Sequence, residues 1–323
     1  MPDVVPVQVD DIRLAHNRIA EHVRRTPVVT CSALDRQLDA RVFLKCENLQ
    51  VTGSFKARGA CNFILSLSED QARAGVVTHS SGNHAAAVAW AAGLRGISAS
   101  IVMPADSRPN KIQAVRNQGI EPVLCEPTPE SRQATAQKII DQTGGFLVHP
   151  YNDARTIAGQ GTAALELLEQ VSDLDVVIAP VGGGGLLSGT LIAVKSLRPA
   201  TQVFAAEPAL ADDAYRSWRS GELQPPLRFD TIADGLRTPL GSLTFPVLMQ
   251  LVDGVLLASE RGIADANRML LDDAKLVVEP SGAVPLAAVM ENDIDLRGRR
   301  IGLILSGGNL DLDNLPWSDA SWT

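Results

Sequence analysis

Four glycines in succession, Gly182-Gly183-Gly184-Gly185, stand between the β-branched run Val176-Val177-Ile178-Ala179 and an apolar stretch that opens at Leu186. A strand that feeds a helix through a glycine loop is the repeating unit of an open α/β sheet, where ligands sit beyond the C-terminal ends of the strands. Without Cβ atoms the backbone can aim several N–H groups at one point, and the helix N-terminus adds positive potential. Together these make a phosphate cradle. A tight strand-to-helix crossover by itself needs only one or two glycines. The run is not a Gly-x-Gly-x-x-Gly dinucleotide turn with an acidic ribose partner downstream. Nor is it a Walker loop, since no Gly-Lys-Ser/Thr follows.

The same alternation runs through the chain. Val42-Phe43-Leu44-Lys45-Cys46-Glu47 reads as a strand, followed by a turn at Thr52-Gly53 and a helix over 56–66. From Gly75 the order strand, turn, helix repeats. Val76-Val77-Thr78 leads to a helix over 84–93, and the strand from Ala99 to Met103 to a helix with Pro109 in its first turn. The strand from Pro122 to Cys125 leads to a helix over about 130–142. The second half adds a helix from Ala163 to Val171, strands at 203–206 and 301–305, and a surface loop over 221–231. An amphipathic first helix, with Asp10 as its cap, turns Ile12, Ala15, Ile19 and Val23 inward. These alternations predict parallel βαβ units in open, mostly parallel sheets flanked by helices.

A chain of 323 residues with 45% hydrophobic content fills roughly two lobes. We expect a large lobe from 1–75 and 152–323, and a small, substrate-closing lobe from 76–151. The net charge of −8 argues against a general nucleic-acid binder, which needs a basic face. Met1-Pro2-Asp3-Val4-Val5-Pro6 has no basic n-region leading into an apolar run, and no stretch is long enough to cross a bilayer, so neither secretion nor a membrane is expected. Cys31, Cys46, Cys61 and Cys125 lack Cys-x-x-Cys spacing and read as buried free thiols of a cytoplasmic protein.

Three further stretches carry chemistry. In Ser54-Phe55-Lys56-Ala57-Arg58-Gly59-Ala60 a lysine opens a helix that Ser54 is placed to cap. Its charge opposes the positive end of the helix dipole, and with some burial the neutral amine, which attacks carbonyls, is favoured. A plain surface lysine on a first turn is the alternative. Ser80-Ser81-Gly82-Asn83-His84 presents hydroxyls, an amide and an imidazole at a helix entry, which suits a carboxylate or makes a simple capping turn. Ser306-Gly307-Gly308-Asn309 again lies at a strand end. Glu207-Pro208-Ala209-Leu210-Ala211-Asp212-Asp213 reads equally as an acidic helix start or as a cation site.

Taken together, and in their order and spacing from about residue 10 to about residue 315, these motifs resemble the serine/threonine dehydratase and serine racemase family of pyridoxal-phosphate enzymes. The resemblance implies a two-lobed fold type II enzyme, similar to the tryptophan synthase β chain, with the cofactor between the lobes. It implies Lys56 as the Schiff-base lysine, Phe55 packed by the cofactor, Asn83 on the ring hydroxyl, Gly182 to Gly185 around the phosphate, and Ser306 facing the pyridine nitrogen. It further implies that Ser80, Ser81, Asn83, His84 and Arg132 bind the substrate, and that Glu207, the Ala211 carbonyl and Asp213 hold Mg²⁺ or another divalent cation. The family is usually dimeric.

The activity implied is α,β-elimination of a small β-hydroxy-α-amino acid, of the serine, threonine or 3-hydroxyaspartate kind, to a keto acid and ammonia. A serine hydroxyl does not hold a proton on the ring nitrogen as a carboxylate would, so the ring is a weaker electron sink, which suits elimination. A racemase on the same scaffold is the alternative, since relatives with that activity carry serine at the position of Ser81. A non-catalytic binder of a phosphate ligand is a third reading. The chain departs from the family at Ala85-Ala86, where relatives commonly carry a glutamine, and at Tyr151-Asn152-Asp153-Ala154-Arg155, where Arg155 is either a surface charge or a partner for a second carboxylate.

Overall fold

A computed structural model of the chain describes residues 7–80 and 82–317. Its strands are β1 (Val28–Thr30), β2 (Arg41–Cys46), β3 (Val76–His79), β4 (Ala99–Pro104), β5 (Val123–Cys125), β6 (Phe146–Leu147), β7 (Val176–Pro180), β8 (Gln202–Pro208), β9 (Gly254–Ala258) and β10 (Arg300–Leu305). They form a six-stranded sheet in the order β1-β2-β10-β7-β8-β9 and a four-stranded sheet in the order β5-β4-β3-β6. Every pair is parallel except β1 with β2.

Parallel strands covered on both faces need no polar alternation, and all five residues of β7 are buried. The apolar stripe Ile12, Ala15, Ile19 and Val23 is buried as its spacing requires. The smaller sheet takes its strands from one continuous stretch. Its core, however, draws Ala60, Phe63 and Ile64 from the helix Lys56–Leu65 and Ile19 and Val23 from the chain's start. All four cysteines are free and buried.

Register places the loops. Leu305 pairs with Cys46, and Leu303 with both Leu44 and Ile178, so the C-terminal ends of β2, β10 and β7 lie side by side. Beyond them follow the lysine turn, Ser306-Gly307 and the glycine run. Ser54 pairs with Gly307 in an isolated antiparallel bridge, and Phe55 N–H donates to the Ser306 carbonyl at 3.0 Å.

The helix that begins at Lys56 has no side-chain cap, because Phe55 rather than Ser54 occupies the cap position, in a helical conformation. Arg58 anchors it instead. Fully buried, its guanidinium pairs with Glu47 at 2.7 Å and with Glu166 at 2.7 Å, and Glu166 also accepts from Lys45 at 2.7 Å. The group ties the segment just after β2 and the helix Ala154–Gln170 to the first turn after Lys56.

Other local expectations shift as well. Gln8, in a capping box with Asp11, starts the first helix rather than Asp10. The helix expected from Ala163 begins at Ala154, where Asp153 accepts from Arg155 and Thr156 N–H groups. The acidic stretch ending at Asp213 does start a helix, Asp213–Ser220, whereas the short strand β6, the strand β9 and the helices Thr244–Leu251, Glu260–Asp272 and Pro280–Glu291 were not legible as separate elements.

Candidate active site

Lys56 is half-buried between the two sheets, with Nζ donating to the Pro150 carbonyl at 3.1 Å and lying 4.8 Å from the Phe55 ring centroid. Loss of solvent lowers its amine to about 8, against a smaller upward pull from Glu279. The neutral amine is therefore accessible near neutrality, as its place at an uncapped helix start implies.

The glycine run is buried beside it. Gly184 has φ +87°, a left-handed backbone that favours glycine, and a Cβ there would lie 2.8 Å from the Thr244 Cβ. A Cβ on Gly183 would run into the Tyr151 ring. Thr238 Oγ1 accepts from Gly183 N–H at 3.0 Å, and Thr244 Oγ1 donates to the Gly183 carbonyl at 2.7 Å. The helix Gly185–Leu197 that follows has no side-chain cap, so its first N–H groups remain available to an anion.

A second helix, Asn83–Arg95, also starts uncapped, after Gly82, whose N–H donates to Ser80 Oγ at 3.3 Å. Asn83 Nδ2 donates to Glu279 Oε1 at 2.8 Å, and Asn83 Oδ1 accepts from Asn309 Nδ2 at 2.9 Å. The Ser80 and Ser306 stretches thus meet across the two sheets, with Ser306 itself buried. Ser81 lies outside the described residues. His84 turns away from this junction: its Nε2 donates to the Val148 carbonyl at 2.9 Å, and its buried Nδ1 has no partner. Burial, then the Lys56 charge, pushes His84 down to about 3, so the ring is neutral. What His84 offers a carboxylate is its backbone N–H.

Glu279 was invisible in the sequence, hidden at the cap position of a helix whose first residue is Pro280. Burial and then Asp234 raise its carboxyl to about 7. A cavity of about 150 Å³ opens beside it, lined among others by Lys111, Asp234 and Asn309. Lys111 Nζ pairs with Asp234 at 2.5 Å, joining the helix Pro109–Arg116 to the other sheet's side. Gln160 and Tyr151 were also missed. Gln160 is fully buried and donates from Nε2 to the Pro150 carbonyl at 3.0 Å, the same oxygen that Lys56 uses.

Arg132 stands near enough for its charge to lower His79, after burial, and to oppose the upward shift that burial gives Tyr151. Arg155 is engaged elsewhere, 3.7 Å from the Phe63 ring centroid and paired with Asp153 at 3.2 Å.

At the end of β8, Glu207 is buried, and its two oxygens accept from Ala214 N–H at 2.8 Å and Tyr215 N–H at 2.7 Å. Tyr215 N–H thus goes to Glu207 rather than back to the Ala211 carbonyl four residues earlier. Asp213 Oδ2 accepts from Leu240 N–H at 3.1 Å. Burial raises both carboxyls, that of Asp213 to about 6.

Comparison with known proteins matches the same architecture. The family model described as "Pyridoxal-phosphate dependent enzyme" matches residues 19–307. The chain is 48% identical over 309 residues to the β-hydroxyaspartate dehydratase of Paracoccus denitrificans, across 96% of this chain and 98% of that one. It is 46% identical over 319 residues to the serine racemase of Dictyostelium discoideum, across 98% of each. The solved structure of maize serine racemase superposes with a TM-score of 0.94 at 44% identity, covering 97% of both chains.

Pyridoxal phosphate demands an anion cradle with no side chain in the way and an amine that can shed its proton. The loop around Gly184, which has no room for a Cβ, and the half-buried Lys56 fit both demands. With that fit, and with a match that spans most of its length, the chain belongs to the pyridoxal-phosphate dependent enzyme family.

Proposed function

We propose that this protein is a pyridoxal-phosphate ammonia-lyase that converts a small β-hydroxy-α-amino acid, of the serine, threonine or 3-hydroxyaspartate kind, to a keto acid and ammonia by α,β-elimination. The observation that carries the reading is Lys56, an amine lowered to about 8 at an uncapped helix start beside the glycine cradle. Identity of 48% to a β-hydroxyaspartate dehydratase supports the substrate class.

Bound pyridoxal phosphate supplies a conjugated system that accepts the electron pair released at Cα. In this reading Gly182 to Gly185 would hold its phosphate, Phe55 would pack by it, and Asn83 and Ser306 would bond the polar groups of its ring. The uncapped start of Asn83–Arg95, with Ser80, Ser81, Asn83 and the His84 backbone, receives the substrate carboxylate, and Arg132 closes nearby. Lys56 takes the Cα proton at Nζ. The hydroxyl leaves Cβ as water, so one proton is taken and one is returned. The enamine that departs hydrolyses to keto acid and ammonia.

Glu207, the Ala211 carbonyl and Asp213 bind a divalent cation such as Mg²⁺ in this reading. Its support is an oxygen-only donor set with Glu207 and Asp213 both buried at the end of β8 and the helix start that follows. The reading also includes a cytoplasmic homodimer, and a small lobe of 76–151 that closes on a large lobe of 1–75 and 152–323. The partition of strands between the two sheets supports those lobes, and no helix among the described residues is long and apolar enough to cross a membrane.

A keto-acid assay over serine, threonine, 3-hydroxyaspartate and phenylserine isomers tests the function. Lys56→Ala should keep its fold and lose about 10²–10⁴-fold or more in turnover. Near wild-type turnover in that variant would sink the reading. Racemisation is a second reading, favoured by identity to serine racemases and by a serine at position 81. Chiral chromatography of substrate recovered from heavy water separates the two.

A further inference from the structure

Gln160 lies at a junction that the proposed chemistry does not yet use. It is fully buried in the helix Ala154–Gln170. A Cβ added to Gly59, in the lysine helix, would meet its Nε2 at 3.0 Å, and a Cβ on Gly185, in the cradle, would run into its Oε1. Its Nε2 shares the Pro150 carbonyl with Lys56 Nζ, at 3.0 Å and 3.1 Å. Its Oε1 is buried with no hydrogen-bond partner. An unpaired buried acceptor costs about 1–3 kcal/mol, and a buried ammonium needs acceptors to remain charged. The two side chains meet at the Pro150 carbonyl.

We propose that the Pro150 carbonyl and the Gln160 side-chain oxygen form the acceptor pair that receives the Lys56 ammonium once it has taken a proton, making Gln160 a positioning residue for the base. The inference rests on Lys56 being the working lysine. When the Cα–H bond breaks, its proton becomes a third hydrogen on Nζ and its electron pair stays with the substrate, so Nζ gains both a charge and a donor. Pro150 accepts one hydrogen in the observed geometry, and Gln160 Oε1, on the amide whose Nε2 shares that carbonyl, is an acceptor with no partner. The same amide touches the cradle at Gly185, so lysine and phosphate loop share one support. The other charged or titratable groups bearing on Lys56 are Glu279, which pulls its amine up, and His84 and His149, both neutral, since burial takes His149 down to about 4.

The test uses the holoenzyme with two variants. Gln160→Met removes the acceptor, and Gln160→Glu keeps it and adds charge. In both, one measures by absorbance the equilibrium in which alanine, which has no leaving group, displaces Lys56 from the cofactor. Its pH dependence breaks at the pKa of the released amine. That break should move down by about half a unit to one unit in Gln160→Met and up by about one unit in Gln160→Glu, and the acid limb of kcat should move with it. Breaks that stay at the wild-type pH in both variants would overturn the inference. Reduction of the resting enzyme with borohydride, then peptide mapping, keeps the two claims apart. A label on Lys56 with unmoved breaks defeats only the role of Gln160, and a label on another lysine defeats the functional reading itself.

Discussion

At the scale of single residues, the site is set by burial more than by partners. Glu279 shows it. Its carboxyl lies at about 7 against an ordinary 4.5, first because it is buried and then because Asp234 is near. The folded protein therefore holds that proton more tightly than the unfolded chain, and stability from this group is full below 4.5 and declines as pH rises through 7. Glu279→Gln keeps an oxygen for Asn83 Nδ2 and removes the titration. Melting curves without substrate should show the variant gaining on wild type between pH 5 and pH 8, by up to about 3 kcal/mol at ~1.4 kcal/mol per unit. Melting temperatures that run parallel with pH would show that Glu279 is not held protonated by its surroundings.

Among elements, the loops at strand ends carry the site, and here the sequence was most informative. Lys56, the glycine run and Ser306 all follow strands whose β-branched or apolar runs could be read directly, and the register of β2, β10 and β7 brings them together. Glu279 and Gln160 escaped because each looks locally like something ordinary. Glu279 precedes a proline at a helix start, and Gln160 stands mid-helix in Gly159-Gln160-Gly161; only packing shows what they face. The cap at Lys56 was misplaced for a related reason, since buried ion pairs at Arg58 hold that turn and no local rule announces them. The glycine loop gives the prediction at this scale. Gly184→Ala forces a left-handed alanine and pushes on Thr244, whose hydroxyl donates to Gly183 at 2.7 Å. A loss of about 1–3 kcal/mol in stability is expected, with a lower pyridoxal-phosphate content by absorbance. Unchanged cofactor content would mean that the loop does not hold the phosphate.

Across the whole molecule, the two sheets are joined by contacts far apart in sequence, Asn83 with Glu279 and Lys111 with Asp234. If Glu207 and Asp213 bind a cation, a chelator should lower both melting temperature and keto-acid output, because a ligand bound only to the folded state stabilises it, and Mg²⁺ or Mn²⁺ should restore both. Indifference of both readouts to chelator would reduce the cluster to a helix cap. The buried group at Arg58 has a consequence for how such a chain can change. Lys45 and Arg58 balance Glu47 and Glu166, so the quartet sums to zero in a buried place. Loss of any one member strands a charge, at about 3–5 kcal/mol, whereas joint replacement by apolar groups of similar volume is often neutral or better. Every single-step path out of the quartet therefore crosses a valley deep enough to threaten a domain's whole stability. A lineage carrying these four residues is confined to them by history, whether or not four others would serve the fold as well.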